Sequence, residues 1–393
     1  MNFYQIKSSL EQITEDTMNA YIRALAAELG EPLNRVSLDQ YLADDFALLY
    51  VASGGSEGYF IRAFDSFKDR PCYILTSGDS NSLAASMEIL SFLKQNGGTG
   101  EILHGSILKI AERIRSLRQA VRARSSLKGK NIGCIGAPSD WLIASTFSPE
   151  AMMEKLGIGF VQISIQELLD EIAKNDYPSN PYTEAFLAKG YDRQEVTRAL
   201  YVYGACKRLC EKYNLSAVSV RCFDLLDTVH TTGCLALSIL NDEGIYGGCE
   251  GDVPSLLSML ILGTVTGEPT FLCNPSRFDT DAGTAVFAHC TIPTAMLKQF
   301  TLNTHFESNI GVAVQGTFDS GDITVFKCSG DLSRYHVQEG TILDMPYSDM
   351  LCRTQIKAAL DDFSYFLTDP INNHHIICRG RHAKAINDFF SIL

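Results

Sequence analysis

The pattern of apolar segments changes near residue 270, and this change constrains the fold more than any other feature of the sequence. Before it, short apolar segments alternate with glycine-bearing turns and amphipathic helices; residues 72–75, for example, precede a turn at 76–82 and a helix at 83–95. Strand, glycine-rich turn and helix in succession are typical of a parallel sheet. After residue 270, short segments of alternating polarity are separated by Gly and Asp. That pattern is typical of an antiparallel sheet or barrel.

The predicted fold class is therefore α/β. We expect two Rossmann-like α/β domains with parallel sheets, at residues 1–127 and 128–269, and a C-terminal, mainly antiparallel, barrel-like β domain at residues 270–393. A chain of 393 residues also exceeds what one compact core usually contains. The pattern further predicts strands at residues 46–51, 131–135, 159–163, 217–221, 270–273, 284–288, 310–314, 323–328 and 376–378, and helices at 14–29, 193–213, 253–265 and 383–392.

The charge of the chain excludes some classes of partner. Its formal net charge is −13, whereas nucleic acids and anionic membranes need a positive surface that displaces counterions. The N-terminal segment lacks the apolar core of a secretory signal, and the longest apolar run, at 256–265, is far too short to span a membrane. Without such a signal, the twelve cysteines indicate reduced thiols. We therefore expect a cytoplasmic protein that binds neither nucleic acid nor membrane.

The segment Gly248–Asp252 contains the acidic residue that most favours a chemical role. Asp252 immediately precedes a helix with Pro254 in its first turn, so we predict that Asp252 caps this helix. Glu250 lies before the cap and has no comparable structural role. Its carboxylate is therefore the first candidate for catalysis.

Histidine is scarce, with eight in the chain, and three of them lie at strand ends. His289 ends an apolar strand, and His374 and His375 lie where the strand at 376–378 begins. A single histidine of this kind is more often a hydrogen-bonded structural residue than a ligand. Two adjacent histidines favour a functional site.

Two polar segments offer further contacts for a ligand. The loop at 303–309 contains His305 and Glu307, and Arg353 lies in a comparable segment before the last strands. These side chains either bind a polyhydroxylated ligand or belong to solvated loops. Carboxylate and imidazole without paired cysteines suit Mn²⁺ or another hard divalent cation. Such a cation polarises a carbonyl and a hydroxyl while carboxylates move a proton, which is the chemistry of sugar enolisation.

Several segments resemble L-fucose isomerase-related proteins of the L-fucose/L-arabinose isomerase superfamily. They are residues 241–245 and 249–252, Gly267–Pro269, the strand at 270–272, Ala288–Cys290 and Asn373–His375, with 78–88 and 219–225 also fitting. The resemblance therefore covers most of the chain. It implies three domains, with a metal site between the second and the third. It also implies a homo-oligomer, a trimer or a hexamer, in which a neighbour's first domain covers the site.

The resemblance also implies roles for individual residues. Glu250 would be both a metal ligand and an acid–base carboxylate, and His375 would be the terminal metal ligand. The family's second carboxylate falls just after the strand at 270–273, where this chain has Asn274. An amide can ligate a metal through its oxygen but cannot carry the proton. Asp279 or Asp281 is then the candidate for the second carboxylate. Otherwise the protein uses a single base or has lost isomerase activity.

The resulting hypothesis is a metal-dependent aldose–ketose isomerase that acts on a sugar through an enediol, with Mn²⁺ held by Glu250, Asn274 and His375. The catalytic candidates are Glu250 and Asp279. The substrate-binding candidates are His289, His305, Glu307, Arg353 and His374. Two alternatives stay open: a non-catalytic carbohydrate-binding or sensor protein of the same fold, and a lyase or epimerase that uses the same metal-bound enediolate.

Overall fold

A computed structural model of the chain describes residues 1–9, 14–68 and 70–393. The described residues form two compact units, unit 1 with residues 1–123 and 388–393, and unit 2 with residues 124–387. Each unit contains a parallel sheet, and unit 2 also contains a closed antiparallel barrel. The predicted fold class is therefore confirmed. The domain boundaries at 127 and 269 stay a prediction.

Unit 1 is built on a parallel sheet. Its strands are β1 (Asn2–Ile6), β2 (Asn34–Arg35), β3 (Ala47–Val51), β4 (Cys72–Leu75) and β5 (Gly100–Leu103). The helices that follow or connect them are α1 (Glu15–Leu29), α2 (Leu38–Leu42), α3 (Glu57–Arg62), α4 (Phe64–Phe67), α5 (Ser82–Gln95) and α6 (Ile107–Leu127). The strand order is β2-β1-β3-β4-β5. β3 and β4 are buried along their whole length, as expected for strands covered on both faces.

The first part of unit 2 repeats this arrangement. Its strands are β6 (Asn131–Ile135), β7 (Gly159–Ile163), β8 (Leu215–Val220) and β9 (Tyr246–Cys249), which pair in parallel in the order β7-β6-β8-β9. Its helices are α7 (Pro149–Leu156), α8 (Ile165–Ile172), α9 (Pro181–Leu187), α10 (Arg193–Lys212), α11 (Asp224–Val229), α12 (Cys234–Asp242) and α13 (Val253–Thr266). The strands predicted at 131–135 and 159–163 are confirmed residue for residue.

The remaining elements are mostly antiparallel strands. They are β10 (Phe271–Asp279), β11 (Thr284–His289), β12 (Gln299–Asn303), β13 (Ala313–Thr317), β14 (Gly321–Cys328), β15 (Tyr335–Asp344), β16 (Thr354–Leu360) and β17 (His375–Arg379), with helices α14 (Ser364–Thr368) and α15 (Ala383–Phe390). The barrel order is β10-β11-β16-β15-β14-β17, and β12 pairs with β13 beside it. The strand predicted at 310–314 is displaced to β13, because Asn309 and Gly311 have positive φ angles of 54° and 70° that a strand cannot contain.

The hydrophobic core of unit 2 is continuous between the parallel sheet and the barrel. Val218 of β8, Phe271 of β10 and Ile356 of β16 belong to one buried cluster. α13 is buried on nearly all sides, as expected for an apolar helix that lies inside a protein. Among the helices of the described residues, none is long and apolar enough to cross a membrane.

Candidate functional site

The turns after β6, β8 and β9 lie together at the carboxyl edge of the parallel sheet of unit 2. These strands run parallel, and ligands of α/β proteins commonly bind at this edge. Hydrogen bonds join the turns: the Ser139 N–H donates to the Glu250 carbonyl at 2.9 Å, and the Gly251 N–H donates to the Val220 carbonyl at 3.2 Å. The position of Glu250 is thus fixed by neighbouring strands.

The backbone of this turn is strained at Glu250. Glu250 and Gly251 have φ angles of +65° and +68°. A Cβ atom on Gly251 would lie 2.3 Å from the Ala137 carbonyl oxygen, so glycine is required there. A left-handed conformation costs a non-glycine residue about 1–2 kcal/mol, and such strain is concentrated at functional sites. Glu250 therefore occupies a backbone conformation in which glycine would be unstrained.

Both carboxylate oxygens of Glu250 face polar groups in a buried setting. Oε2 accepts a hydrogen bond from Trp141 Nε1–H at 2.6 Å, and Oε1 lies 3.5 Å from Nε2 of His374. Burial alone would raise the pKa of Glu250, but the nearby charge of His374 and the hydrogen bond from Trp141 lower that pKa. Glu250 is therefore ionised and can accept a proton.

His374 is held by Asp252 from the opposite side. Its Nδ1–H donates to Oδ2 of Asp252 at 2.8 Å. Asp252 also accepts the Ser255 N–H at 2.9 Å, which confirms the predicted cap of α13, and the Ser255 Oγ–H at 2.7 Å. Lys327 Nζ donates to that same Oγ at 2.6 Å. Burial opposes protonation of His374, but Asp252 and Glu250 raise its pKa to about 9.

His289 completes the group from the end of β11. Its ring lies 5.6 Å from that of His374, and its Nδ1 hydrogen bonds with Thr291 Oγ1 at 3.1 Å. Burial lowers the pKa of His289 to about 4, so this imidazole is neutral. Donor atoms of Cys249, Glu250 and His289 all lie within 4.8 Å of one another.

The chemistry of these donors decides which of them fit a hard divalent cation. The Cys249 Sγ lies 2.7 Å from the Cys222 Sγ, and this hydrogen bond together with burial raises the pKa of Cys249 far above its ordinary value. Without a bound metal Cys249 is therefore a thiol, and its thiolate would suit a softer metal than Mn²⁺. The ionised Glu250 and the neutral His289 do fit, because carboxylate oxygen and imidazole nitrogen both bind Mn²⁺.

His375 has a different environment from His374. Its Nδ1–H donates to the Asn373 carbonyl at 2.9 Å, and its Nε2 accepts from the Tyr365 hydroxyl at 3.0 Å. Burial lowers the pKa of His375 to about 3. The structure thus turns His374 towards Glu250 and gives both nitrogens of His375 partners elsewhere.

Asn274 and Asp279 lie at different parts of β10. Cys273 pairs with His375, and Asn274 Oδ1 accepts from Asn373 Nδ2 at 3.4 Å, so Asn274 lies beside the histidine pair. Asp279 is five residues further along the strand, roughly 16 Å away at the usual rise per residue. Its carboxylate accepts the Ala282 N–H at 2.9 Å. The structure does not bring Asp279 to the group around Glu250.

The remaining candidates lie on the barrel side of unit 2. The His305 ring packs edge-on against Phe223 at 5.5 Å. Arg353 is buried, and its Nε–H donates to the Thr304 carbonyl at 2.8 Å. Glu307 is exposed. His305 and Arg353 are therefore adjoining and buried, whereas Glu307 faces solvent.

Sequence reasoning missed two residues of the turn after β6. Trp141 binds Glu250 directly, and its ring packs edge-on against Phe223 at 4.8 Å. Ser139 is buried, and its Oγ has no hydrogen-bond partner among the described residues. A signal was present in the sequence, because the chain's one tryptophan directly follows a turn that ends a predicted strand.

No protein-family model matches the chain. Over 340 residues it is 24% identical to a sulfoquinovose isomerase of Alkalicoccus urumqiensis, a match that covers 79% of this chain and 76% of the relative. Over 164 residues it is 29% identical to a sulfoquinovose isomerase of Clostridium sp. (strain MSTE9), covering 39% of this chain and 36% of that relative.

Proposed function

We propose that this chain is a sugar isomerase that interconverts an aldose and a ketose, with Glu250 as its acid–base residue. The observation that carries the proposal is a buried, ionised carboxylate held in a strained turn at the ligand-binding edge of the sheet. The similarity to two sulfoquinovose isomerases, one of them over about three quarters of both chains, supports the same reaction class.

The reaction needs one group that moves a proton between neighbouring carbons. An aldose becomes a ketose when a proton leaves C2, a proton arrives at C1, and the hydroxyl proton of O2 passes to O1. Glu250 removes the proton from C2 and returns it to C1. Trp141 holds Oε2 by its hydrogen bond, so Oε1 is the oxygen that exchanges the proton.

His374 acts as a positioning residue for that oxygen. Asp252 fixes the orientation of the imidazole through Nδ1, which directs Nε2 towards Oε1 of Glu250. A charged imidazole at this distance favours the ionised carboxylate. The arrangement joins two segments that are distant in the sequence. Glu250 and Asp252 follow β9, and His374 precedes β17.

A divalent cation such as Mn²⁺ fits beside this group. Glu250 and His289 would hold it; Asn274, whose amide oxygen accepts a hydrogen bond from Asn373, stays a predicted ligand. The bond between His289 Nδ1 and Thr291 fixes the ring orientation, a common support for metal-binding imidazoles. When bound, the cation would polarise the carbonyl and hydroxyl of the sugar.

Deuterium exchange tests the proposal. The protein is incubated with Mn²⁺ and a panel of aldoses in D₂O, and deuterium at C2 is followed by NMR. We expect Glu250→Gln to slow exchange by about 10²- to 10⁴-fold while the protein stays folded. Glu211→Gln, which changes an exposed acid on α10, is the matched control. If the wild-type protein gives neither exchange nor ketose from any sugar, or if Glu250→Gln keeps full activity, the assignment is refuted. The trimeric or hexameric assembly and the cytoplasmic location stay predictions.

A further inference from the structure

Cys249 is a potential metal ligand that the proposed function leaves unused. Its thiol is buried, and its Sγ lies within 4.8 Å of donor atoms of Glu250 and His289. Adjacent residues of an extended strand normally point to opposite faces. Here β9 ends at Cys249, Glu250 adopts a φ angle of +65°, and the two adjacent side chains converge. Three donors from two distant segments therefore meet at one buried point.

The three donors combine sulfur, oxygen and nitrogen. Zn²⁺ is bound by cysteine sulfur, carboxylate oxygen and histidine nitrogen, usually with four ligands in a tetrahedral arrangement. A thiolate favours softer ions than Mn²⁺, and Zn²⁺ also exceeds Mn²⁺ in the general order of affinities. Three protein ligands leave the fourth position for a water. This set of donors therefore suits a thiophilic divalent cation better than a hard one.

The surroundings support both a thiolate at Cys249 and a water beside the cation. The Sγ of Cys222 lies 2.7 Å from that of Cys249, so the Cys222 thiol is placed to donate a hydrogen bond to a metal-bound sulfur, as outer groups often do for metal ligands. Nε2 of the buried His374 lies 3.5 Å from Glu250 Oε1 and has no hydrogen-bond partner within the described chain. An unpartnered buried polar atom indicates a missing water or ion.

The balance of buried charge also favours a thiolate ligand. Glu250 and Asp252 are negative. His374 lies beside both carboxylates, and Lys327 lies near Asp252, so the four charges cancel. A divalent cation adds two positive charges to this buried group, where uncompensated charge is costly. When the cation displaces the proton of the Cys249 thiol, a metal–sulfur bond forms, the proton leaves to solvent, and one of the two added charges is compensated.

We propose that Cys249, Glu250 and His289 form a binding site for a thiophilic divalent cation such as Zn²⁺, which the site binds in preference to Mn²⁺. Cys249 is the residue that gives this preference, because carboxylate and imidazole bind both ions. The site goes beyond the proposed isomerase function and does not depend on it. The tests of the site therefore measure bound metal rather than turnover.

Cobalt spectroscopy tests for the sulfur ligand. The protein is stripped of metal by a chelator and kept reduced, and Co²⁺ is added as a coloured substitute for Zn²⁺. A thiolate ligand gives a charge-transfer band in the near ultraviolet, whereas oxygen and nitrogen ligands alone do not. We expect this band in the wild-type protein, its loss in Cys249→Ala, and its displacement by Zn²⁺. Cys206→Ala, which removes another buried thiol in α10, is the matched control and should keep the band.

Competition with a coloured chelator measures the preference between the two ions. Loss of one ligand should weaken Zn²⁺ binding by Cys249→Ala about 100-fold, while Mn²⁺ binding should change less than about threefold. Cys222→Ala removes only the hydrogen bond to the sulfur and should weaken Zn²⁺ binding about 10-fold. A wild-type protein without the charge-transfer band, a band that survives Cys249→Ala, or equal losses of affinity for Zn²⁺ and Mn²⁺ would overturn the proposal.

X-ray absorption of the zinc-loaded wild-type protein decides the question without any variant. Sulfur at about 2.3 Å from the metal, from Cys249 with or without Cys222, supports the site. A shell of only nitrogen and oxygen, or of three or more sulfurs, places the ion elsewhere and overturns it. Circular dichroism checks the folding of each variant, and Cys249→Ser replaces Cys249→Ala if the latter does not fold. A cobalt–sulfur band without deuterium exchange into any sugar would refute the isomerase and leave the metal site standing.

Discussion

The pair of Asp252 and Lys327 gives the most quantitative prediction for stability. Both side chains are fully buried, and Ser255 Oγ connects them. Asp252→Asn keeps an N-cap of similar quality but removes the negative charge, which leaves Lys327 uncompensated. Breaking a buried pair in this way costs about 3–5 kcal/mol. Asp252→Ala should cost about 1 kcal/mol more, because it also removes the cap.

Replacing both partners distinguishes a charge effect from simple loss of contacts. Lys327→Met removes the buried cation and retains much of its volume. In the double variant Asp252→Asn/Lys327→Met, the buried lysine is removed together with its counter-charge, and His374 still faces Glu250, so the two effects should not add. We expect the double variant to be at least about 2 kcal/mol more stable than the sum of the single variants predicts.

Urea unfolding followed by tryptophan fluorescence measures this coupling. The chain has one tryptophan, Trp141, and it lies in unit 2, so its emission reports unfolding of the unit that contains the pair. The exposed pair of Lys298 and Asp319 provides the control cycle, where Lys298→Met and Asp319→Asn should couple by less than about 1 kcal/mol. Additivity within about 0.5 kcal/mol at Asp252 and Lys327 would refute the reasoning.

Three further predictions concern the strain, the acid stability and the cation site. Glu250→Gly should be about 1 kcal/mol more stable than Glu250→Ala in the same urea assay, because glycine relieves the left-handed strain; equal stability would show that the turn is not strained. Burial lowers the pKa of His336 below its ordinary value of 6.5, so the unfolded chain binds a proton first and stability falls as the pH drops through 6.5. His336→Phe, which retains the stack on Tyr365 at 3.7 Å, should lose less stability between neutral and mildly acidic pH than wild type, and parallel pH profiles would contradict this. Mn²⁺ at 100 times its dissociation constant should stabilise the wild-type protein by about 2.7 kcal/mol and raise its melting temperature. His289→Gln should reduce this rise in melting temperature. An unchanged rise would exclude His289 as a ligand.

The fold could be predicted largely from the sequence because local patterns specify it. β6 and β7 are short, mainly apolar segments flanked by turns, and their bounds match the prediction. The strand expected at 310–314 failed because apolar residues there suggested an extended segment, whereas the backbone at Gly311 is left-handed. The pattern of polar and apolar residues along the sequence carries no information about the φ angle of a single residue.

The site was harder to predict, since it depends on contacts between distant segments. Glu250 was named because it lies before a helix cap without a structural role, and His289 because it ends an apolar strand; the structure places the two together. Which of His374 and His375 faces Glu250 depends on where β17 begins, and a shift of one residue reverses the two faces. The contact of Trp141 with Glu250 spans 109 residues, and no local pattern specifies such a pairing.

The continuous core of unit 2 has a consequence for the synthesis of the protein. Asp252 and His374 are separated by 122 residues, and His374 enters only with β17, after all the other strands of the barrel have been made. A nascent chain that has completed the parallel sheet therefore contains Glu250 but lacks the imidazole that faces it. The ribosome must release nearly the whole chain before the site can assemble, and because β17 also pairs with β10 and β14, a truncated product lacks the closed barrel as well as His374.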